Sequence, residues 1–509
     1  MTWQGLVLQG AYFLVLSLLA LYGLHRLSLV WIYLRSRRPT DHGRPAHPAP
    51  ASWPPVTVQL PVFNEYYVVE RLIEAACNLR YPEGLLEIQL LDDSTDGTRA
   101  LAARLVESYR ARGIDIHHMH RSSREGYKAG ALAEGLARAR GEVIVIFDAD
   151  FIPPPDFLLR CVPRLAGPGS DPRLGMVQAR WGHTNRDHSL LTRAQAMMLD
   201  GHFVVEHRAR QSSGRFLNFN GTAGAFRRRC IEQAGGWQDD TLTEDLDLSY
   251  RAQLAGWRFE CLPDLEVPAE LPVEIDSLKS QQRRWARGSI QTARKLLPRV
   301  LSSTLPRAVK LEAAVHLTNN AAYLLTALLA VLIVPALAAR GGSTWTYAAL
   351  DLPLLLAGTG SFSFYCLVAQ RATRRDWMKA LLALPGLMAL GIGLCINNGV
   401  AVLEGLGGYP SSFQRTPKFR VEGSRVSRGD WMALAYRGPR SALVLVEAAF
   451  AAYFIAAIWR GVSRGWYAGT PFLALFACGF LYVTALSLGQ DMARRLLVRS
   501  GRPAAAPAP

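Results

Sequence analysis

Apolar residues are concentrated near the two ends of the chain, whereas the middle is polar. Residues 6–34 form an apolar run that exceeds the roughly 20 residues needed to cross a bilayer. The pattern predicts a membrane-spanning helix over 6–34, a globular domain over about 50–310 and a C-terminal membrane domain over 312–490. The apolar runs of this last domain cover 312–338, 346–370, 378–404, 441–459 and 466–488.

Basic residues indicate the orientation of these helices. Arg35, Arg37 and Arg38 directly follow the first run, and the positive-inside rule places such residues in the cytosol. We therefore expect an integral multi-pass protein of the cell or inner membrane, with its N-terminus outside and its globular domain in the cytosol. His25 and Arg26 lie in the second half of the first run, where they either snorkel toward the inner face or line a polar path.

The run 378–404 has basic segments on both sides. The loop 371–379 before it and the segment 411–440 after it are rich in Arg and Lys, so both ends of the run are expected in the cytosol. The run also contains Pro385 and several glycines, which interrupt a helix. We expect an interfacial or re-entrant segment here, and the alternative is a plain span followed by a basic outer loop.

Short β-branched runs alternate with helical patterns in the polar middle. This alternation predicts an α/β fold in which a parallel sheet has helices on both faces. Ligands of such sheets bind beyond the carboxyl ends of the strands, and two acidic pairs lie there, Asp92-Asp93 and Asp148-Ala-Asp150. The expected strands are 56–60, 86–91, 114–118 and 142–147, and the expected helices are 64–79, 98–112 and 128–139.

Asp148 and Asp150 have the spacing of a shared cation site. Side chains at i and i+2 of an extended chain share a face, so both carboxylates can reach one hard ion such as Mg²⁺ or Mn²⁺. Such an ion would neutralise a departing pyrophosphate. The alternative interpretation is turn chemistry, because Asp is common in turns.

A second acidic cluster, Thr243-Glu244-Asp245, opens a helix expected over 244–255. Thr243 suits the N-cap position, and carboxylates in the first turn are stabilised by the helix dipole, which is the structural interpretation. The chemical interpretation makes Asp245 a general base, because a hydroxyl is a poor nucleophile until a positioned base accepts its proton.

Gln281, Arg284 and Trp285 share one face of a helix expected over 274–297. Arginine grips phosphate bidentately, and tryptophan offers a flat apolar face to a sugar ring or base. The alternative is a basic helix at the membrane interface, and the two interpretations are compatible.

Composition and charge narrow the range of partners. Only 19% of the residues are charged, against about 25% in an average soluble domain. The 57 Lys and Arg and the 41 Asp and Glu leave a formal charge of +16, which suits an anionic lipid bilayer or a nucleotide. The sequence lacks the aromatic-and-basic repeats and zinc-ligand spacings of nucleic-acid modules, so no nucleic-acid partner is expected.

The Asp-Asp, Asp-x-Asp, Thr-Glu-Asp and Gln-x-x-Arg-Trp motifs occur in the order in which processive glycosyltransferases of family 2 carry them, and the chain resembles that family. The resemblance implies a GT-A fold, a Rossmann-like α/β domain, inserted between transmembrane helices. The segment RTPKF (415–419) is similar to the gating loop of related synthases. Segments similar to the cellulose-synthase-like A branch, the (gluco)mannan synthases, are GYKAGAL (126–132), VQARW (177–181), FNGTAG (219–224), GGW (235–237) and ELP (270–272).

The resemblance also implies a role for each motif residue. Asp245 would be the catalytic base, and Asp148 and Asp150 would bind Mg²⁺ or Mn²⁺. The residues implied in binding the nucleotide-sugar donor are Glu65, Asp92, Asp93, Lys128, Asp148, Gln281 and Arg284. The residues implied in binding the acceptor are Asn220, Gly221, Glu244 and Trp285.

The function implied is that of an inverting hexosyltransferase in the membrane. It would use GDP-mannose, UDP-glucose or both to elongate a β-linked mannan, glucomannan or glucan, and would extrude this growing polysaccharide through its membrane part. One alternative is a lipid glycosyltransferase that adds a single sugar to a ceramide or polyprenyl acceptor, and another is a non-catalytic scaffold or transporter. Polar residues in the spans, such as Asn320 and Asn397, either line an export path or make helix–helix hydrogen bonds.

Overall fold

The computed structural model describes residues 3–36, 48–340, 344–373, 377–408, 413–423, 430–434 and 436–499. Some residues on which the topology prediction rests lie outside the described residues. They are Arg37 and Arg38, and residues 374–376, 411–412, 424–429 and 435 of the two basic segments.

A seven-stranded sheet forms the centre of the globular domain. Its strands are β1 (Val56–Val62), β2 (Leu86–Asp92), β3 (Ile116–His120), β4 (Val143–Ile146), β5 (Leu174–His183), β6 (Gly224–Arg227) and β7 (Arg258–Ala269). Their order across the sheet is β3-β2-β1-β4-β6-β5-β7. The four expected strands, β1 to β4, pair in parallel. The sheet as a whole is mixed, because β6 runs antiparallel to both β4 and β5.

The strand β4 shows why both faces of the sheet are covered. Its alternate residues point in opposite directions, so Val143 and Val145 pack in one apolar core while Ile144 and Ile146 pack in another. Strands buried on both faces read as continuous apolar runs, which is how the sequence presents them. The helices of this domain are α2 (Val69–Cys77), α3 (Thr98–Arg110), α4 (Tyr127–Arg138), α5 (Phe157–Ala166), α6 (Leu190–Asp200), α7 (His207–Ser212), α8 (Arg228–Gln233), α9 (Glu244–Leu254) and α10 (Ile275–Ser302).

The remaining helices lie before β1 and after α10 in the chain. The described residues contain five helices long and apolar enough to cross a membrane: Trp3–Arg35, Ala321–Ala339, Tyr347–Ala372, Val444–Ser463 and Thr470–Leu497. A sixth is added if the pair Trp377–Gly393 and Cys395–Gly407, bent by 42°, is one span. The helices are α1 (Trp3–Arg35), α11 (Arg307–Thr318), α12 (Ala321–Ala339), α13 (Thr344–Thr346), α14 (Leu352–Leu355), α15 (Ser361–Ala372), α16 (Trp377–Gly393), α17 (Cys395–Gly407), α18 (Val444–Ser463) and α19 (Thr470–Arg499).

Polar side chains of the apolar helices make hydrogen bonds inside the protein. The His25 Nε2 atom of α1 lies 2.9 Å from Glu312 Oε2 of α11, so His25 is paired rather than directed to the membrane surface. Asn320 Nδ2 donates to Ser289 Oγ at 2.8 Å. Asn397 Nδ2 donates to the carbonyl oxygen of Lys279 at 2.9 Å. These contacts fit the helix–helix interpretation of the two asparagines.

Candidate active site

A pocket of about 200 Å³ lies beyond the carboxyl ends of β1, β2 and β4, where α9 and α10 meet the sheet. Such an edge is where α/β sheets bind their ligands. With the exception of Asp92, every site residue expected from the sequence lines this pocket. These residues are Glu65, Asp93, Lys128, Asp148, Asp150, Asn220, Gly221, Glu244, Asp245, Gln281, Arg284 and Trp285.

Each carboxylate of the Asp-x-Asp motif pairs with a lysine ammonium. Lys128 Nζ, at the start of α4, lies 2.5 Å from Asp148 Oδ1 and also donates to the carbonyl oxygen of Gly221 at 2.9 Å. Lys418 Nζ lies 2.7 Å from Asp150 Oδ2. The backbone N–H of Glu270 donates to the same Asp150 oxygen at 3.2 Å. Two cations therefore already neutralise the pair of carboxylates.

The side chains of the pocket fit a metal ion that takes only part of its coordination shell from the protein. Within the described ranges, no group of three or more His, Cys, Asp and Glu side chains is arranged to hold a metal ion. Asp148 and Asp150 nevertheless face one pocket, and Mg²⁺ and similar ions use one or two carboxylates together with phosphate oxygens and water. The site therefore suits a cation that arrives with a phosphorylated ligand.

Asp245 lies in the first turn of α9, with its side chain at the pocket. Its Oδ1 atom accepts a hydrogen bond from the backbone N–H of Leu246 at 2.8 Å. Burial and the neighbouring Glu244 carboxylate raise the pKa of Asp245 to about 7, although Lys128 acts in the opposite direction. A carboxyl group with a pKa near neutrality has the proton affinity that general base catalysis requires.

The expected N-cap of α9 is corrected by the structure. Thr243 occupies the N-cap position, but its side chain makes no capping hydrogen bond. Its hydroxyl instead lies 3.1 Å from the Thr292 hydroxyl of α10. A Cβ placed on Gly288 of α10 would lie 2.5 Å from Thr243 Cγ2, so only glycine permits this approach. The contact brings Arg284 and Trp285 to the pocket beside Asp245.

The two aspartates at the end of β2 face different surroundings. Arg121 binds the pocket-lining carboxylate of Asp93 at both oxygens, with distances of 2.7 and 2.6 Å. Asp92 is fully buried and lies outside the pocket lining. Its carboxylate accepts from His118 and from the Ser94 backbone N–H, each at 2.8 Å. Burial alone would raise the pKa of Asp92, but these hydrogen bonds hold it below its usual range.

A segment from the C-terminal part, residues 413–423, covers the pocket, and we call it the pocket loop. Arg415 Nη1 of the loop pairs with Glu65 Oε2 at 2.9 Å. The Glu270 carboxylate accepts from the backbone N–H groups of Phe419 and Arg420 at 3.0 and 2.8 Å. Burial raises the pKa of Glu65 to about 7, with Arg415 opposing it, and burial likewise raises the pKa of Glu270 to about 7.

Several pocket residues were missed by reasoning from the sequence. Lys418 pairs with Asp150 across 268 positions, a separation that no local spacing reveals. The Arg124 guanidinium carbon lies 3.4 Å from the ring centroid of Phe63 and 5.5 Å from that of Phe413. Lys418 could have been found from the sequence because it lies in the segment 415–419, which is similar to a gating loop. No sequence motif pointed to Arg124.

Comparison with known proteins identifies the globular domain. The family model described as "Glycosyltransferase like family 2" matches residues 54–288. Glucomannan 4-beta-mannosyltransferase 2 of Arabidopsis thaliana is 46% identical over 255 residues, covering 49% of this chain and 47% of that protein. Glucomannan 4-beta-mannosyltransferase 1 of Oryza sativa subsp. japonica is 40% identical over 297 residues, covering 56% of each. The chain thus spans about half the length of the curated relatives it matches.

A solved structure shares the fold. It is that of the mannosyltransferase PcManGT from Pyrobaculum calidifontis in complex with GDP-Man and Mn²⁺, with a TM-score of 0.51 and 24% identity. The match covers 78% of this chain and 99% of that one. Residues 54–288 therefore belong to glycosyltransferase family 2 and form a GT-A domain.

Proposed function

We propose that the protein is an inverting glycosyltransferase that elongates a β-linked polysaccharide from a nucleotide sugar. The observation that carries the proposal is that Asp245 opens onto the same pocket as the Asp148–Asp150 pair, Lys128 and Arg284. The pocket thus holds a base for an acceptor together with charged groups for a diphosphate. The mannosyltransferase relatives and the GDP-Man complex of the structural neighbour support GDP-mannose as the donor, with UDP-glucose as the second candidate.

The chemistry is a single displacement. The oxygen of an acceptor hydroxyl attacks C1 of the donor sugar while the bond from C1 to the diphosphate oxygen breaks, and the electron pair leaves with the diphosphate. Asp245 accepts the hydroxyl proton. Because one displacement inverts C1, an α-linked donor gives a β-linked product, and no second carboxylate is needed as a nucleophile.

The cations of the pocket stabilise the departing charge. The Lys128 ammonium lies between the Asp148 carboxylate and the Gly221 carbonyl oxygen. Burial opposes its charge, but the carboxylates of Asp148 and Glu244 hold the pKa of Lys128 above its usual range, so Lys128 remains a cation. Arg284 and Gln281 line the same pocket and supply further donors to phosphate oxygens. Asp148 and Asp150 would hold Mg²⁺ or Mn²⁺, whose charge stabilises a leaving diphosphate.

The acceptor side is assigned to Asn220, Gly221, Glu244 and Trp285, which line the pocket around Asp245. The Trp285 indole gives a sugar ring a flat apolar surface. Gly221 has a φ of +84°, and a Cβ there would lie 3.0 Å from Asp245 Oδ2. The glycine therefore leaves the space in which an acceptor hydroxyl approaches the base.

The proposed organisation keeps the domains expected from the sequence. The GT-A domain is cytosolic, and the bent pair α16–α17 is a re-entrant segment. Two contacts support this topology: Gln370, before the pair, hydrogen-bonds Asp200 of the globular domain at 2.8 Å, and Phe413, after the pair, lines the pocket. Both flanks of the pair are thus on the side of the globular domain. The pocket loop, which lies within the segment 411–440, acts as the gate over the donor.

Turnover by the purified full-length chain in nanodiscs tests the proposal. GDP-mannose and UDP-glucose are offered separately with Mg²⁺ or Mn²⁺, with EDTA as a control, and the product is digested with β-mannanase or β-glucanase. We expect an EDTA-sensitive polymer from GDP-mannose that β-mannanase removes. A labelled glycolipid without polymer, or activity that survives in an Asp245→Asn variant, would overturn the proposal.

A further inference from the structure

A buried polar cluster joins the acceptor side of the pocket to the membrane helices. It contains His202 and Glu206 of a π-helical turn, Gly201–Glu206, which separates α6 from α7. Arg210 of α7 and Glu312 of α11 continue the cluster. π-helical turns inside α-helices are frequent at functional sites, because they redirect the side chains that follow.

His202 contacts a pocket residue on one side and a carboxylate on the other. Its Nε2 atom lies 2.9 Å from Asn220 Nδ2, and its Nδ1 atom lies 3.0 Å from Glu206 Oε2. An amide nitrogen only donates, so Nε2 must accept and the ring proton must be on Nδ1, where it is donated to Glu206. With the Asn220 amide in this orientation, these partners place a ring proton of His202 on Nδ1.

Glu206 is held by three elements of the fold. Its Oε2 atom accepts from Arg210 Nη2 at 3.3 Å as well as from His202, and its Oε1 atom accepts from the Tyr365 hydroxyl of α15 at 3.0 Å. Arg210 is itself fixed by Glu312, with Nε 3.0 Å from Oε1. Burial opposes ionisation, but Arg210 and His202 hold the pKa of Glu206 well below its usual range. The carboxylate is therefore a permanent acceptor for the His202 Nδ1–H.

This arrangement determines which end of the Asn220 amide is left for a ligand. The Nδ2 end is used by His202. The Oδ1 end is buried and has no hydrogen-bond partner among the described residues, although the side chain lines the pocket. A buried unpaired carbonyl oxygen is costly, and a ligand hydroxyl that donates to it removes that cost.

We propose that His202 is a positioning residue that turns the Asn220 amide so that its carbonyl oxygen accepts a hydrogen bond from a hydroxyl of the acceptor sugar. The inference rests on the proposed function and adds a specific contact on its acceptor side. Through Glu206 and Tyr365, the orientation of Asn220 depends on the packing of α15 against the globular domain. The ligand class is a neutral polyol, which donates through O–H groups.

The test compares acceptor and donor parameters of five single variants and one double variant in the full-length protein. His202→Phe removes the acceptor nitrogen, whereas His202→Gln keeps an oxygen that can accept from Asn220. Tyr365→Phe removes one partner of Glu206 without touching the pocket. His117→Gln, on the edge strand β3 and outside the pocket lining, is the matched histidine control. The probes are β-1,4-mannohexaose, titrated by intrinsic tryptophan fluorescence, and GDP-mannose turnover.

We expect His202→Phe to raise the Kd and the KM for mannohexaose about 3- to 10-fold, the effect of one neutral hydrogen bond, and to leave the KM for GDP-mannose within about 2-fold. His202→Gln should recover most of the affinity, and Tyr365→Phe should raise the acceptor Kd about 2-fold. The double variant His202→Phe/Asn220→Ala should lose no more acceptor affinity than Asn220→Ala alone, because both substitutions remove the same interaction.

Unchanged acceptor binding in His202→Phe, additive losses in the double variant, or an equal rise in the donor KM would overturn the inference. If His202→Phe does not fold, a Tyr365→Phe variant with normal acceptor affinity overturns it instead. A wild-type protein that transfers no sugar to mannohexaose contradicts the proposed function, which separates that failure from failure of the His202 role.

Discussion

Replacing Glu244 with Gln tests whether Asp245 acts as the base or has only a structural role. Burial and the adjacent Glu244 carboxylate together raise the pKa of Asp245 to about 7, while Lys128 lowers it. The substitution removes one of the causes that raise this pKa and keeps the size of the side chain. The pKa of Asp245 should therefore fall.

The magnitude follows from the ionised fraction of the base. A base acts as the carboxylate, so with a pKa near 7 about 90% of the protein is active at pH 8 and about 10% at pH 6, a roughly tenfold fall in kcat on acidification. Glu244→Gln should move this acid limb to lower pH by about one unit, which corresponds to about 1.4 kcal/mol of removed repulsion. Asp245→Asn should lower kcat about 10²- to 10⁴-fold and abolish the limb, with donor binding retained.

The assay is kcat with saturating GDP-mannose and mannohexaose between pH 5 and 9. Glu134→Gln is the matched control, because it makes the same charge change in a solvent-exposed pair with Arg138 on α4. Its profile should overlay that of the wild type. A flat wild-type profile between pH 6 and 8, or an acid limb that Glu244→Gln leaves in place, would refute the assignment of Asp245.

Three further substitutions probe the rest of the pocket. Lys418→Met should tighten Mn²⁺ binding to the donor-free protein about tenfold or more, because the lysine ammonium no longer competes for Asp150. Calorimetry measures this affinity, and an unchanged value would contradict the competition. Gly221→Ala should cost about 1–2 kcal/mol of stability from its positive φ, read as a lower Tm, and should lower kcat further by crowding Asp245; normal turnover would show that this space is not used. Trp285→Ala should weaken acceptor binding while sparing donor hydrolysis, and selective loss of donor binding would exclude its stacking role.

Most of the candidate site could be predicted because its residues belong to short motifs at strand ends and helix starts. The carboxyl ends of parallel strands converge at one edge, so Asp93, Asp148 and Asp150 meet without any knowledge of long-range contacts. Asp92 shows the limit of this reasoning. Successive side chains of a strand point to opposite faces, so only one of two adjacent aspartates faces the pocket. The other one, Asp92, forms a hydrogen bond with His118.

Elements with weak local signals were not predicted. β6 is short, Gly224–Arg227, and its antiparallel pairing with β4 and β5 was not predicted. The cap expected at Thr243 failed because a partner from α10, Thr292, competes for the hydroxyl. His202 belongs to no recognisable motif. The role proposed for it depends on Asn220, 18 positions away in sequence, and on the membrane helix α15, whose Tyr365 contacts Glu206. Tertiary packing decides all three cases.

The ion pairs of the pocket link metal, donor and pocket loop through charge balance. In the structure, Lys418 neutralises Asp150 and Arg415 neutralises Glu65, so the loop supplies cations to carboxylates of the GT-A domain. A divalent cation on Asp148 and Asp150 would take over that neutralisation, and the diphosphate it accompanies would offer new partners to the released lysine. Under the proposed function, the loop cations would therefore exchange carboxylate partners for phosphate partners when the donor binds.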